Sequence, residues 1–231
     1  MHIHRIIRQT TLCCLLSAIV VAGLVGCNPL ALILLPMDMM GVGDKANIQY
    51  TFPKDAKRVA IVVHLGKHHQ IDVGHFNRDV NSLLSMKVAG YLSKKPDIIL
   101  AGKVHQWMDE HPDWKTPYDI GRGLGADHVV FIELRRISFY EKEGWTQFYK
   151  GNCEAAVTIH RVGTEQDEAI PIWGPQTYSM RFPSGVKPMT DADLSLSQFR
   201  ELFVRHTAER LSWIFVPHPS SAEFGDEKVT N

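Results

Sequence analysis

Neither sign of charge is in excess. The 231-residue chain carries 25 basic and 25 acidic residues. It therefore lacks the clustered Lys and Arg that neutralising nucleic-acid phosphates requires, and nucleic acid is not an expected partner. The usual catalytic signatures are missing as well. HExxH, paired CxxC, GxSxG and the P-loop are all absent, which removes the common forms of zinc, serine-hydrolase and phosphate-cradling chemistry. There are only four cysteines, at positions 13, 14, 27 and 153. No internal repeat is present.

What is there begins at the N-terminus. Arg5 and Arg8 precede an uncharged run from Thr10 to Gly26. A basic start, an apolar middle and small residues before a cut site form the secretory-signal pattern. The run ends Leu24-Val25-Gly26-Cys27, which resembles the lipobox of bacterial lipoproteins. That resemblance implies cleavage after Gly26 and a diacylglycerol thioether on Cys27. Two or more acyl chains then hold a protein stably on a membrane. Residue 28 is Asn rather than Asp. In the lipoprotein family Asp there often retains the protein at the inner membrane, so the resemblance points towards the outer membrane.

Without residues 1–26 the chain has 23 basic and 25 acidic residues, a formal charge of −2. Cys13 and Cys14 leave with the leader and Cys27 is acylated. Cys153 alone stays free, so no internal disulfide framework is expected in this exported chain. Residues 27–57 read as a lipidated apolar tether and linker. Pro29 and Pro36 break it, and one edge strand is expected at residues 47–52. Residues 58–218 read as one domain, and residues 219–231 as a disordered tail.

Within the domain, residues 58–64 (RVAIVVH) form an apolar, β-branched run typical of a strand buried on both faces. A loop leads to a helix with Phe76, Val80, Leu83, Leu84, Val88, Tyr91 and Leu92 on its core side. Residues 97–100 read as a short second strand, parallel to the first. A short helix covers residues 103–110. Another is opened by Pro117 and closed by Gly125. A long strand follows at residues 128–140. Its apolar positions change parity between Leu134 and Ile137, which predicts a bulge at Arg135-Arg136. Residues 141–144 read as a hairpin turn. The return strand, residues 145–161, places Cys153, Ala155, Val157 and Ile159 on one face and Glu154, Thr158 and His160 on the other. A third strand covers residues 170–182. The last helix opens at a Ser195/Gln198 capping box and runs to residue 215, with Phe199, Leu202, Phe203 and Ile214 inward. The order is β-α-β-α-α-β-β-β-α, a mixed sheet with helices packed on it, an α/β or α+β architecture.

This order resembles the group formed by the amino-terminal domain of TolB, the curli-secretion lipoprotein and the lipoprotein activators of penicillin-binding proteins. The residues that carry the likeness are Gly123-Leu-Gly-Ala-Asp-His-Val-Val130 and Glu154-Ala-Ala-Val-Thr-Ile159. Val130-Phe-Ile-Glu-Leu134, Phe148-Tyr-Lys-Gly151 and residues 203–219 resemble uncharacterised bacterial lipoproteins. These motifs are structural, and no catalytic residue carries over. The pore of the curli-secretion protein is not expected, because no spare pair of membrane strands of about 9–11 residues is present.

Candidates for chemistry are few. Gly121-Arg-Gly-Leu-Gly-Ala126 matches GxGxxA, but it follows a helix and precedes a strand, the reverse of a dinucleotide site. Gly125 reads instead as a helix C-cap. His64, His68, His69 and His75, with Asp72, are candidate ligands for zinc or copper. Adjacent His68 and His69 would point apart, and Lys67 would repel a cation, so a solvated loop is the competing reading. Cys153 reads as a buried inert thiol. Ser184-Gly-Val-Lys187 matches SxxK without its partner motifs. Trp107 and Trp114 flank a polar turn, as partner anchors or as packing. No cofactor is expected.

Two functions remain open from sequence. One is a lipid-anchored, periplasm-facing accessory module that binds another envelope protein and is not an enzyme. The other is a metal-binding protein or metal-dependent enzyme using the loop from His64 to His75.

Overall fold

The β-branched run after Lys57 becomes strand β1, Arg58–Leu65, with Val59 to Val63 buried. The structure is a computed structural model that describes residues 48–66, 73–93, 96–143, 146–163, 169–184 and 189–218. These belong to the unit Ala46–Asn231. Helix α1 (Phe76–Leu92) leads to β2 (Asp97–Ile98), α2 (Ala101–Glu110) and α3 (Pro117–Leu124). Strands β3 (His128–Glu143), β4 (Thr146–Val162) and β5 (Ala169–Phe182) follow, then α4 (Leu196–Ser212). The expected order holds throughout.

The strands form one five-stranded sheet in the order β2-β1-β3-β4-β5. β1 is parallel to β2 and β3, whereas β3-β4 and β4-β5 are antiparallel. The sheet is therefore mixed. Helices α1 and α4 cover one face, where Val59, Ile61, Ile132, Val157 and Met180 meet Leu84, Phe199 and Phe203. Helices α2 and α3 cover the other face only over β1 and the start of β3, around Ala60, Val62, Val104, Ile120 and Val129. Beyond that, Glu154, Thr158 and His160 are half-buried on the polar face of β4, as their alternation predicts.

Local chemistry explains the ends. Thr116 and Asp119 form a reciprocal capping box, Pro117 fills the first turn, and Gly125 closes α3 at φ 62°. Ser195 and Gln198 form the predicted box at α4. The predicted bulge is present: the β3-β4 register slips between Arg135 and Ser138, and Arg136 has φ 50°.

Several boundaries differ from expectation. The strand expected at residues 97–100 stops at Ile98, because Leu100 turns outward as the N-cap residue of α2. No strand forms over the described part of residues 47–52. There the amides of Gln49 and Tyr50 instead donate to the Ile214 carbonyl, tying this segment to the end of α4. The hairpin continues past the expected turn, with Glu141 opposite Phe148 and Glu143 opposite Thr146. The last helix ends at Ser212, with Trp213 as its C-cap residue. Tyr91 is 44% exposed and Leu202 is 39% exposed, so neither faces the core. On α1 the polar Asn81 and Ser85 are buried instead. The leader, most of the tether and the tail lie outside the described residues. No described helix is long and apolar enough to cross a membrane.

Candidate functional site

The glycine run on α3 is packing, not a phosphate cradle. A Cβ on Gly123 would meet the Trp107 ring at 2.3 Å, and one on Gly121 would meet Val162 at 2.4 Å. Trp107 stacks on His111 at 4.5 Å between ring centroids. Its contact with Gly123 places it in the α2-α3 packing.

The Asp127 that ends this motif is a staple. Its carboxylate accepts from the backbone amides of Lys57 and Arg58, at the entry to β1, and meets the His128 ring. Burial pushes its acidity down, but the contact with His128 and the two amides outweigh that and hold its pKa below the usual carboxylate value.

The histidine loop is described only at its ends. His64 packs its ring against Trp114 at 5.1 Å and Phe131 at 6.1 Å between centroids. Trp114 thus helps cover the sheet. His75 occupies the N-cap position of α1 without a side-chain capping bond. His68, His69 and Asp72 lie outside the described residues. Among the described residues no group of three or more His, Cys, Asp or Glu side chains could hold a metal ion.

Cys153 is buried, and its thiol lies 3.9 Å from the Glu154 carbonyl. Burial, then the Glu154 charge, pushes its pKa up, so little thiolate forms at neutral pH. Ser184 is described at the end of β5, and Lys187 is not, so the SxxK match remains a sequence match alone.

A groove of about 1170 Å³ opens between α1 and α4. Sequence reasoning did not find it. Phe76, Phe139, Leu196 and Val204 contribute its apolar lining. Its floor is packed aromatic rings: Phe76 lies 5.2 Å from Phe203, and Phe139 lies 5.8 Å from Phe76, centroid to centroid. The guanidinium of Arg200 sits 4.6 Å above the Phe139 ring, a cation–π contact. Lys87 of α1 pairs with Glu209 of α4 across the groove, and Arg205 pairs with Glu201 at 2.7 Å on its edge. Met86 stands on the rim at 63% exposure. Small-molecule sites generally run from about 300 to 1,000 Å³ and enclose their ligand. This groove is larger, open and edged by charges of both signs.

No family model matches the chain, and no curated protein matches it. Solved structures do resemble it. The PelC dodecamer from Paraburkholderia phytofirmans aligns at 9% identity, over 74% of this chain and 96% of that one, with a TM-score of 0.39. Lipoprotein GNA1162 from Neisseria meningitidis aligns at 12% identity, over 68% and 98%, with a TM-score of 0.37. A minor lipoprotein from Acinetobacter baumannii aligns at 8% identity, over 72% and 100%, with a TM-score of 0.32.

Proposed function

We propose that this chain is a lipid-anchored accessory protein of the bacterial cell envelope. It faces the periplasm, on the outer membrane in preference to the inner, and acts by holding another envelope protein rather than by chemistry. The groove between α1 and α4 carries this reading. Its apolar floor and doubly charged rim suit an amphipathic helix, which lays one apolar face into such a groove and leaves its polar face to the rim. Met86 is the kind of exposed, adaptable side chain that recurs on such surfaces. The leader supports the anchor, because Leu24-Val25-Gly26-Cys27 supplies the acceptor cysteine.

A photo-crosslinking residue placed at Met86, in the full chain in its own membrane, tests this. One dominant envelope protein should be captured there. It should not be captured from the same residue at Ile172, an exposed position on β5. Capture should also be lost when Cys27→Ser removes the anchor. No adduct at Met86, or the same adducts at both positions, would overturn the assignment of the groove.

A further inference from the structure

The first described residues, Ile48 to Tyr50, lie near the end of the sheet where β1 begins. The amides of Gln49 and Tyr50 donate to the Ile214 carbonyl, and the Tyr50 ring lies 5.7 Å from that of Trp173 on β5, centroid to centroid. Both rings are half-buried. Beside Trp173, Ile170 and Ile172 are 51% and 41% exposed. Ile170 closes a row that crosses the whole sheet at this end, Ile98-Val59-His128-Arg161-Ile170. At the other end of that row, Tyr91 and Leu100 are exposed in the residues that flank β2. Exposed Lys54, Lys57, Arg58 and Arg161 stand between the two apolar edges. Of these, Arg58 is paired with Asp97 and Arg161 with Asp55.

We infer that this end of the domain rests on the lipid surface, with Tyr50, Ile170, Ile172 and Trp173 at the level of the headgroups. The inference rests on the lipid anchor proposed above. Tryptophan and tyrosine rings that show one side to solvent favour a membrane interface, where one part of the ring is apolar and the other wet. Lysine and arginine beside them keep their charge among the headgroups while their stems cover apolar surface. An added strand is a poor occupant of the same place. β5 is an edge strand, but Pro171 and Pro175 remove donors from it, and an edge interrupted by proline does not carry a regular ladder. The path of the chain favours lipid. Residues 28–47 join Cys27 to Ile48, and fully extended they reach at most about 70 Å. An acylated Cys27 therefore keeps the domain near the bilayer without forcing contact. It also makes the second contact intramolecular, so a small patch is enough.

The test uses the full chain in vesicles of phosphatidylethanolamine and phosphatidylglycerol. Cys153 is buried, so an environment-sensitive fluorophore can be placed on Ile172→Cys or, at the opposite end of the sheet, on Tyr140→Cys. The label at 172 should shift its emission to the blue, be quenched by lipids with brominated acyl chains and be shielded from iodide in the water. The label at 140 should stay open to iodide and ignore the brominated lipid. Ile170→Glu puts a charge beside the label at 172 and should reverse part of its lipid quenching. Equal behaviour of the two labels would overturn the inference. So would shielding at 172 without lipid quenching, which would mean that a second copy of the chain covers this end. The mass of the N-terminal peptide from the same sample reads the anchor separately. An acylated Cys27 without lipid contact at 172 overturns this inference alone, whereas an unacylated Cys27 without contact overturns the anchor as well.

Discussion

Asp127 Oδ1 lies 2.8 Å from His128 Nδ1, and the imidazole of that histidine is 2% exposed. The other oxygen lies 2.8 Å from the amide of Lys57, and both lie 3.3 Å from that of Arg58. One side chain thus fixes where β1 enters the sheet and how β3 leaves α3. Asp127→Asn keeps the size and removes the charge. We expect a loss of about 0.5–1.5 kcal/mol in denaturant unfolding at pH 7, the usual net worth of a hydrogen bond at a partly exposed site. The folded pKa of Asp127 is lowered, so its contribution is present above about pH 3.9 and is lost as pH falls through the folded value. The acid limb of the wild-type stability curve should therefore be steeper than that of the variant.

Gly151 lies under Phe203. A Cβ added there would come within 2.7 Å of the ring. The ring has little room to give way, because Phe76 and Phe139 pack at 5.2 and 6.1 Å from it, centroid to centroid. Gly151→Ala should destabilise by about 1–3 kcal/mol through overpacking. Phe203→Leu in the same chain should recover part of that loss, because the two changes share one space. Additive losses in thermal unfolding of the double variant would contradict this packing account.

Cys153 tests burial directly. The folded protein should not react with a thiol reagent at pH 7–8, and one thiol should label after denaturation if Cys27 is acylated. Cys153→Ala should cost only a fraction of what a large core side chain costs, since the thiol packs as a small hydrophobe. Rapid labelling of the native state would show that this face of β4 opens far more than its packing implies.

Much of this fold was legible because its signals are local. The parity change between Leu134 and Ile137 gave the bulge, and Ser195, Gln198, Pro117 and Gly125 gave the helix ends. The errors arose where tertiary partners decide. Tyr91 and Leu202 sit at helical spacing with core residues, yet the sheet does not reach them and they stay exposed. Asn81 and Ser85 are polar and were not among the residues expected inward, and their burial becomes intelligible only once His105 is placed opposite Asn81. The groove was illegible for the same reason. Phe76 read as ordinary core, and only the packing of α1 against α4 over β3 leaves it lining an opening with Phe139 and Val204.

Met86 separates binding from folding. Its side chain is 63% exposed on the rim of the groove, so Met86→Asp should change stability by no more than about 0.5 kcal/mol. A charge there would face the apolar side of a docked helix and would be desolvated without a partner, which weakens binding strongly. Capture through a crosslinker at a neighbouring rim position such as Ser82 should then fall sharply, with the melting temperature unchanged. Phe139→Ala makes the opposite comparison. It removes a buried ring from under Arg200 and should cost about 3–5 kcal/mol, so a loss of capture there could reflect unfolding alone. If Met86→Asp keeps both fold and capture, the partner does not use this groove, and the exposed part of the β4-β5 face becomes the next surface to probe.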